Sequence, residues 1–256
     1  MLSVHNLVKE FDGLTAVNGL NFTVEPETIT GLIGPNGAGK TTTFNMITGH
    51  VKPSHGSIHF DGDDITDLRP HQAFHLGVVR TFQIPRPFSG MTVLENLTMV
   101  PGNQIGEKIW NNWLRRSAVE KEELRIQEKA NELLEFLNLA DLRNEFSGNL
   151  SGGQLKLLEL GRALMSDPKL ILLDEPGAGV NPTLLEEIIE RIRDIHGQGV
   201  TFLIIEHNME LVMRLCSSVL VMVEGGILME GSPDDIRSDP RLIDAFLGGG
   251  TLSSDN

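Results

Sequence analysis

Gly34-Pro35-Asn36-Gly37-Ala38-Gly39-Lys40-Thr41 is the stretch that decides the fold. It fits G-x-x-x-x-G-K-T, the pattern of a loop that holds nucleotide phosphates. The glycines let successive backbone N–H groups turn inward as an anion nest, and the helix that follows adds its positive end. The Lys40 ammonium would reach the β- and γ-phosphates, the Thr41 hydroxyl would bind Mg²⁺, and Thr42 can bond the α-phosphate. The candidate phosphate contacts are therefore Gly34, Asn36, Gly37, Ala38, Gly39, Lys40, Thr41 and Thr42. An apolar run at 28–33 precedes the loop. After it, residues 41–48 carry Phe44 and Ile47 on one helical face, with Gly49 as a stop. Strand, glycine loop, helix is the order of an α/β core.

On either side of the loop, the sequence alternates textures. Residues 2–7 and 20–24 predict short strands, and 57–60 a hairpin arm with Asp61-Gly62 as the turn. From 91 to 139 the pattern is helical. Within 120–137, Leu124, Ala130, Leu133, Leu134 and Leu137 form a core stripe opposite charged residues. Residues 103–116, with Trp110, Trp113 and Arg115-Arg116, read equally as a docking surface or a loosely packed insert. After 150 the α/β alternation returns. Runs at 169–173 and 200–205 are continuously apolar, as parallel strands covered on both faces require, with an amphipathic helix at 184–195 between them. Residues 219–223 and 227–230 flank Gly225-Gly226, a second hairpin, and the tail from Thr251 is expected to fray. An α/β core at 1–88 and 162–235 is thus expected to be interrupted by a helical block at 89–161 and followed by a C-terminal segment at 236–256.

Two further stretches carry chemistry. Leu170-Ile171-Leu172-Leu173-Asp174-Glu175 is an apolar strand ending in carboxylates, at the edge where phosphates sit in open α/β sheets. Asp174 would hold Mg²⁺, mostly through water, and Glu175 beside it is the better general base. Leu150-Ser151-Gly152-Gly153-Gln154 opens another helix, with Ser151 as its cap. That is a second anion-binding helix start, although one nucleotide already has its phosphates in the Lys40 loop.

At these residues the chain resembles the ATP-binding subunits of ABC transporters, from about residue 2 to 248. Residues 150–154 are similar to the family's signature motif, Gln83 in Thr81-Phe82-Gln83 to its Q-loop glutamine, and His207 after Ile204-Ile205-Glu206 to its switch histidine. The resemblance implies a P-loop NTPase core, with a RecA-like, mostly parallel sheet, an antiparallel β subdomain and an inserted helical subdomain. It also implies a head-to-tail dimer around two ATP molecules, in which Ser151, Gly153 and Gln154 of one chain complete the site of the other. Gln83 would sense Mg²⁺ and the attacking water, His207 would bond the γ-phosphate, and Phe11 would stack on adenine where the family often has tyrosine. Asn181, in the stretch 177–182, stands where many members carry an Asp.

Arg80-Thr81-Phe82-Gln83-Ile84-Pro85-Arg86-Pro87-Phe88, the stretch 177–182 and the C-terminal segment resemble the ATPases of branched-chain amino-acid and urea importers. Lipopolysaccharide-export ATPases share several of these segments. The implied partners are integral-membrane permeases, a second ATPase subunit (copy or paralogue) and, indirectly, a substrate-binding protein. The implied place is the cytoplasm, on the inner face of the cell membrane through those permeases. The rival classes are a soluble ABC ATPase of DNA or ribosome function and a nucleotide-kinase-like transferase, which leaves 150–154 without a role.

Composition sets the outer limits. The 256 residues carry a net charge of −14, which disfavours a protein that grips nucleic acid through its phosphates. One cysteine, Cys216, excludes an internal disulfide. Apolar runs stop at four or five residues, where a spanning helix needs about twenty.

Overall fold

The computed structural model describes residues 1–81, 87–102 and 116–247. In chain order the elements are β1 (Leu2–Phe11), β2 (Leu14–Val24), β3 (Ile29–Ile33), α1 (Lys40–Ile47), β4 (His55–Phe60), β5 (Asp63–Asp64), α2 (Pro70–His75) and β6 (Val78–Arg80). There follow α3 (Val93–Thr98), α4 (Arg116–Phe136), α5 (Gly152–Met165), β7 (Leu170–Asp174), α6 (Pro182–His196), β8 (Thr201–Ile205) and α7 (Met209–Leu215). The chain ends with β9 (Ser218–Val223), β10 (Gly226–Gly231), α8 (Pro233–Ser238) and α9 (Pro240–Leu247).

Two compact units result. The first comprises Met1–Gln83, Lys169–Ala178 and Ile192–Asn256, and the second Ile84–Pro168 and Gly179–Arg191. In the first, a six-stranded sheet runs β10-β9-β3-β8-β7-β6. All neighbours pair in parallel except β10, which returns antiparallel along β9. Every residue of β3, β7 and β8 is buried, the outcome that uninterrupted apolar runs require of central strands. A second, antiparallel sheet has the order β2-β1-β4-β5. One core joins both sheets to α1 through Leu32, Phe44, Ile47, Phe60 and Leu203. Phe44 and Ile47 are fully buried, and each contributes about 1.5–3 kcal/mol by that burial, which fastens α1 against the sheet.

The β1–β2 pair is longer than its sequence pattern predicts. Register shifts fall after Val4, Leu7 and Lys9. Each bulge moves the inward face by one residue, so the period-two alternation breaks although the strand continues. The hairpin at β9–β10 turns on Glu224-Gly225 (φ 48° and 84°), one residue earlier than the Gly225-Gly226 pair suggests.

In the second unit, α3, α4 and α5 pack together. Ala130, Leu134 and Leu137 are buried as expected, but Leu124 is 58% exposed, and Val119 is the buried residue at that end of α4. Helix α5 continues unbroken to Met165, so the boundary expected at 161 falls inside an element. Trp110, Trp113 and Arg115 lie outside the described residues, as does the tail from Thr251.

Candidate functional site

The glycine loop joins the buried end of β3 to α1. Its last residue, Gly39, is the helix N-cap in the left-handed region (φ 99°). A Cβ there would lie 2.4 Å from the Ala16 carbonyl oxygen, so both backbone sign and space demand glycine. No side chain caps α1, and its first turn holds no acidic residue, which leaves the positive end of the helix toward the loop without a counter-charge of its own.

Lys40 is buried beneath this loop, and its Nζ donates to the carbonyl oxygens of Gly34 (2.8 Å) and Pro35 (2.9 Å). Burial pushes the ammonium below its ordinary pKa, while the charges of Glu175 and Asp174 act in the opposite sense. The lysine is thus held on two neutral carbonyls of its own loop.

Above the loop lies a cavity of about 370 Å³, within the range of small-molecule sites. Asn36, Gly37, Ala38, Gly39, Lys40, Thr41 and Thr42 line one side of it, Phe11, Leu14 and Ala16 an apolar side, and Glu175 and His207 close it. Phe11 is 42% exposed, so it is not a core residue. The Lys9 ammonium sits 4.8 Å from its ring centroid, within cation–π range.

The chemistry lies at the ends of β7 and β8. Glu175 follows β7 with φ 51°, and its N–H donates to Ile205 O (2.9 Å), pinning the turn to the neighbouring strand. Its Oε1 meets His207 Nε2 at 2.9 Å. The proposed base and switch histidine, 32 positions apart, therefore share a contact inside one cavity.

Asp174 is buried and paired with Arg80 (NH2 to Oδ2, 2.7 Å). Arg80 also donates to Asn45 Oδ1 on α1 and stacks 5.6 Å over Phe44. Sequence reasoning assigned this arginine no role. The available sign was a charged residue ending the short apolar run Gly77-Val78-Val79, since a buried cation needs a buried anion. Leu14 and Ala16, on the apolar wall, and Glu206, treated below, were missed as well. Gln83 lies outside the described residues.

Ser151, Gly153 and Gln154 belong to the second unit. Ser151 Oγ accepts from the Gln154 N–H (3.4 Å), and Gln154 Oε1 accepts from the Ser151 N–H (2.9 Å). This reciprocal box was readable as S-x-x-Q, of which only the serine half was recognised. A Cβ on Gly153 would lie 1.6 Å from Leu184 Cδ2. Asn181, the departure from the family's Asp, accepts from the Leu184 N–H at 3.0 Å and so caps α6.

Residues 17–178, more than half of the chain, match the family model described as ABC transporter. The chain is 46% identical over 251 residues to the probable branched-chain amino acid transport ATP-binding protein LivG of Archaeoglobus fulgidus, covering 97% of this chain and 95% of that one. It is 39% identical to the high-affinity branched-chain amino acid transport ATP-binding protein LivG of Escherichia coli K12, with 97% and 98% covered. Among solved structures, a nucleotide-free ATP-binding cassette from an ABC transporter superposes with TM-score 0.83 at 40% identity, covering 96% and 98%. The ADP conformation of an ATP-binding cassette of an ABC transporter gives 0.83 at 41%, covering 97% and 98%.

Proposed function

The chain belongs to the ABC transporter family, and on that premise we propose that it is the ATP-hydrolysing subunit of a branched-chain amino-acid importer. The observation that carries the enzymatic part is the Glu175–His207 contact of 2.9 Å in the cavity lined by the Lys40 loop. The names of the relatives reported above support the cargo, and neither of those names refers to urea or lipopolysaccharide.

In this reading Lys40 leaves the Gly34 and Pro35 carbonyls for the β- and γ-phosphates, and the loop N–H groups take the remaining oxygens. Phe11 stacks on the adenine. Glu175 accepts a proton from the attacking water, while His207 fixes that carboxylate and bonds the γ-phosphoryl oxygen. Hydrolysis then rests on charge compensation and positioning more than on any covalent step. The Thr41 hydroxyl and the Asp174 carboxylate are the hard oxygen donors that Mg²⁺ prefers, and with Gln83 they would hold it. When bound there, the ion would supply neutralisation of the phosphate charge.

Two copies, or this chain and a paralogue, pair head to tail, so that Ser151, Gly153 and Gln154 of one complete the phosphate site of the other. Permeases hold the pair on the inner face of the membrane, and a substrate-binding protein delivers cargo from the far side. None of the described helices is long and apolar enough to cross a membrane. Rivals acting on DNA or ribosomes gain nothing from the net charge of −14.

The test is Glu175→Gln. ATP binding persists, the dimer accumulates, and turnover falls by about 10²–10⁴-fold, the usual weight of a general base. Turnover near the parent rate refutes the assignment of Glu175. Leucine uptake by vesicles carrying the chain with its co-purified permeases tests the cargo.

A further inference from the structure

Glu206 is 3% exposed, yet it is neither a proposed ligand of the nucleotide nor a member of the Glu175–His207 pair. Its Oε1 accepts the N–H of Gly177 (2.8 Å), and its Oε2 accepts the N–H groups of His207 (3.0 Å) and Asn208 (3.1 Å). Three backbone donors on one carboxylate explain how a charge can sit in that position, since buried ions persist where hydrogen bonds replace hydration. The placement matters more than the burial. Gly177 lies two residues after Glu175, and His207 directly follows Glu206.

The bonds form a closed ring. The Glu175 side chain meets His207 Nε2, the His207 backbone meets Glu206, Glu206 meets Gly177, and the chain returns through Pro176 to Glu175. The side-chain half of the ring lines the nucleotide cavity, and the Glu206 half lies behind it. A second tie, from the Glu175 N–H to Ile205 O, holds the turn after β7 to the end of β8.

We infer that Glu206 is a positioning residue for hydrolysis, a buried clamp that keeps the Glu175 and His207 side chains in contact and ties them to the loop starting at Gly177. The inference rests on the catalytic reading of Glu175 and His207, and it adds regulation. The loop 177–182 cannot shift at Gly177 without breaking a bond to the carboxylate that also holds the switch histidine. Movement of that loop, as when a second copy docks, therefore reaches the attacking-water site through one side chain. The carboxylate's two oxygens serve different segments, so an amide in its place can satisfy only one of them.

Glu206→Gln keeps the size and turns one acceptor into a donor facing N–H groups. In the full chain, the affinity for a fluorescent ATP analogue should stay within about twofold of the parent, because Lys40 and its loop are untouched. The kcat should fall about tenfold or more with KM unchanged, the pattern of an interaction that acts in the transition state. In a His207→Ala background the same change should cost severalfold less than in the parent, since the Glu175–His207 contact that the clamp maintains is already gone. Where Glu206→Ala fails to fold, Glu206→Gln decides alone, with analogue binding as the check on folding. Undiminished kcat in Glu206→Gln, or an equal loss in the His207→Ala background, overturns the inference while leaving Glu175 as base. Full turnover by Glu175→Gln overturns the catalytic reading and the inference with it.

Discussion

Two glycine-bearing helix starts, at α1 and α5, solve the same problem in opposite ways. In the proposed function each presents a positive helix end to an anion. The start of α1 has Gly39 as N-cap, with no side chain on its N–H groups, and a lysine held in reserve on loop carbonyls. The start of α5 is closed by its own Ser151–Gln154 box, which already occupies two of the donors such a terminus exposes. An uncapped end with a buried cation is built to bind phosphate by itself. A self-capped end is built to stay folded without ligand and to offer a hydroxyl and a close backbone when one arrives. The division matches the proposal that the first grips nucleotide within one chain and the second completes a site on another.

The largest expected effect is at the uncapped start. Lys40→Ala removes a charge-assisted pair of phosphate contacts, and nucleotide affinity should fall about a hundredfold, close to 2.7 kcal/mol. Isothermal titration with a non-hydrolysable analogue measures this, and an affinity within threefold of the parent would break the contrast at its stronger end. Next comes Gly153→Ala on the capped start. The added methyl collides with the end of the half-buried Leu184 side chain, which must shift, at about 1 kcal/mol of stability. Thermal melting should show the loss, while analogue affinity in the single chain stays unchanged. An unshifted melt would mean that the space over Gly153 is not structurally closed.

How much of this was legible beforehand follows from which physical constraint each residue obeys. The loop 34–41, the β7 end at Asp174-Glu175 and the serine cap at 151 were readable because glycine, strand-end acids and N-cap serines respond to local backbone demands. The central strands were readable because burial on both faces leaves an unbroken apolar run. Arg80 and Glu206 were not, since each is justified by a partner distant in sequence: Asp174, 94 positions away, for one and the Gly177 N–H, 29 away, for the other. The length of β1 and β2 was hidden by bulges that scramble a two-residue period. Leu124 shows the opposite failure, because helical spacing alone placed in the core a residue that faces solvent. Asn181 seemed a weakened family position, whereas its oxygen has a local duty as the cap of α6.

The smallest effect is the most discriminating, because at Ser151 the observed cap and the proposed phosphate contact fall on one hydroxyl. Ser151→Ala removes the cap and should cost about 1 kcal/mol of stability. In a chain of this size that is a drop of roughly 2–4 °C in Tm. Taken alone, a loss of turnover in this variant would not separate a frayed helix from a missing phosphate contact. Ser151→Asp does. Aspartate caps as well as serine and suits the positive helix end, so Tm should return to the parent value or above it. The same carboxylate would face a γ-phosphate if the capped start completes a site on another chain, and like charges at that distance repel. Parent-like melting with unchanged analogue affinity in the single chain, and turnover below that of Ser151→Ala, is the outcome that the division of labour between the two helix starts requires. Turnover that follows Tm across both variants would reduce Ser151 to a cap and leave the α1 start as the sole anion site.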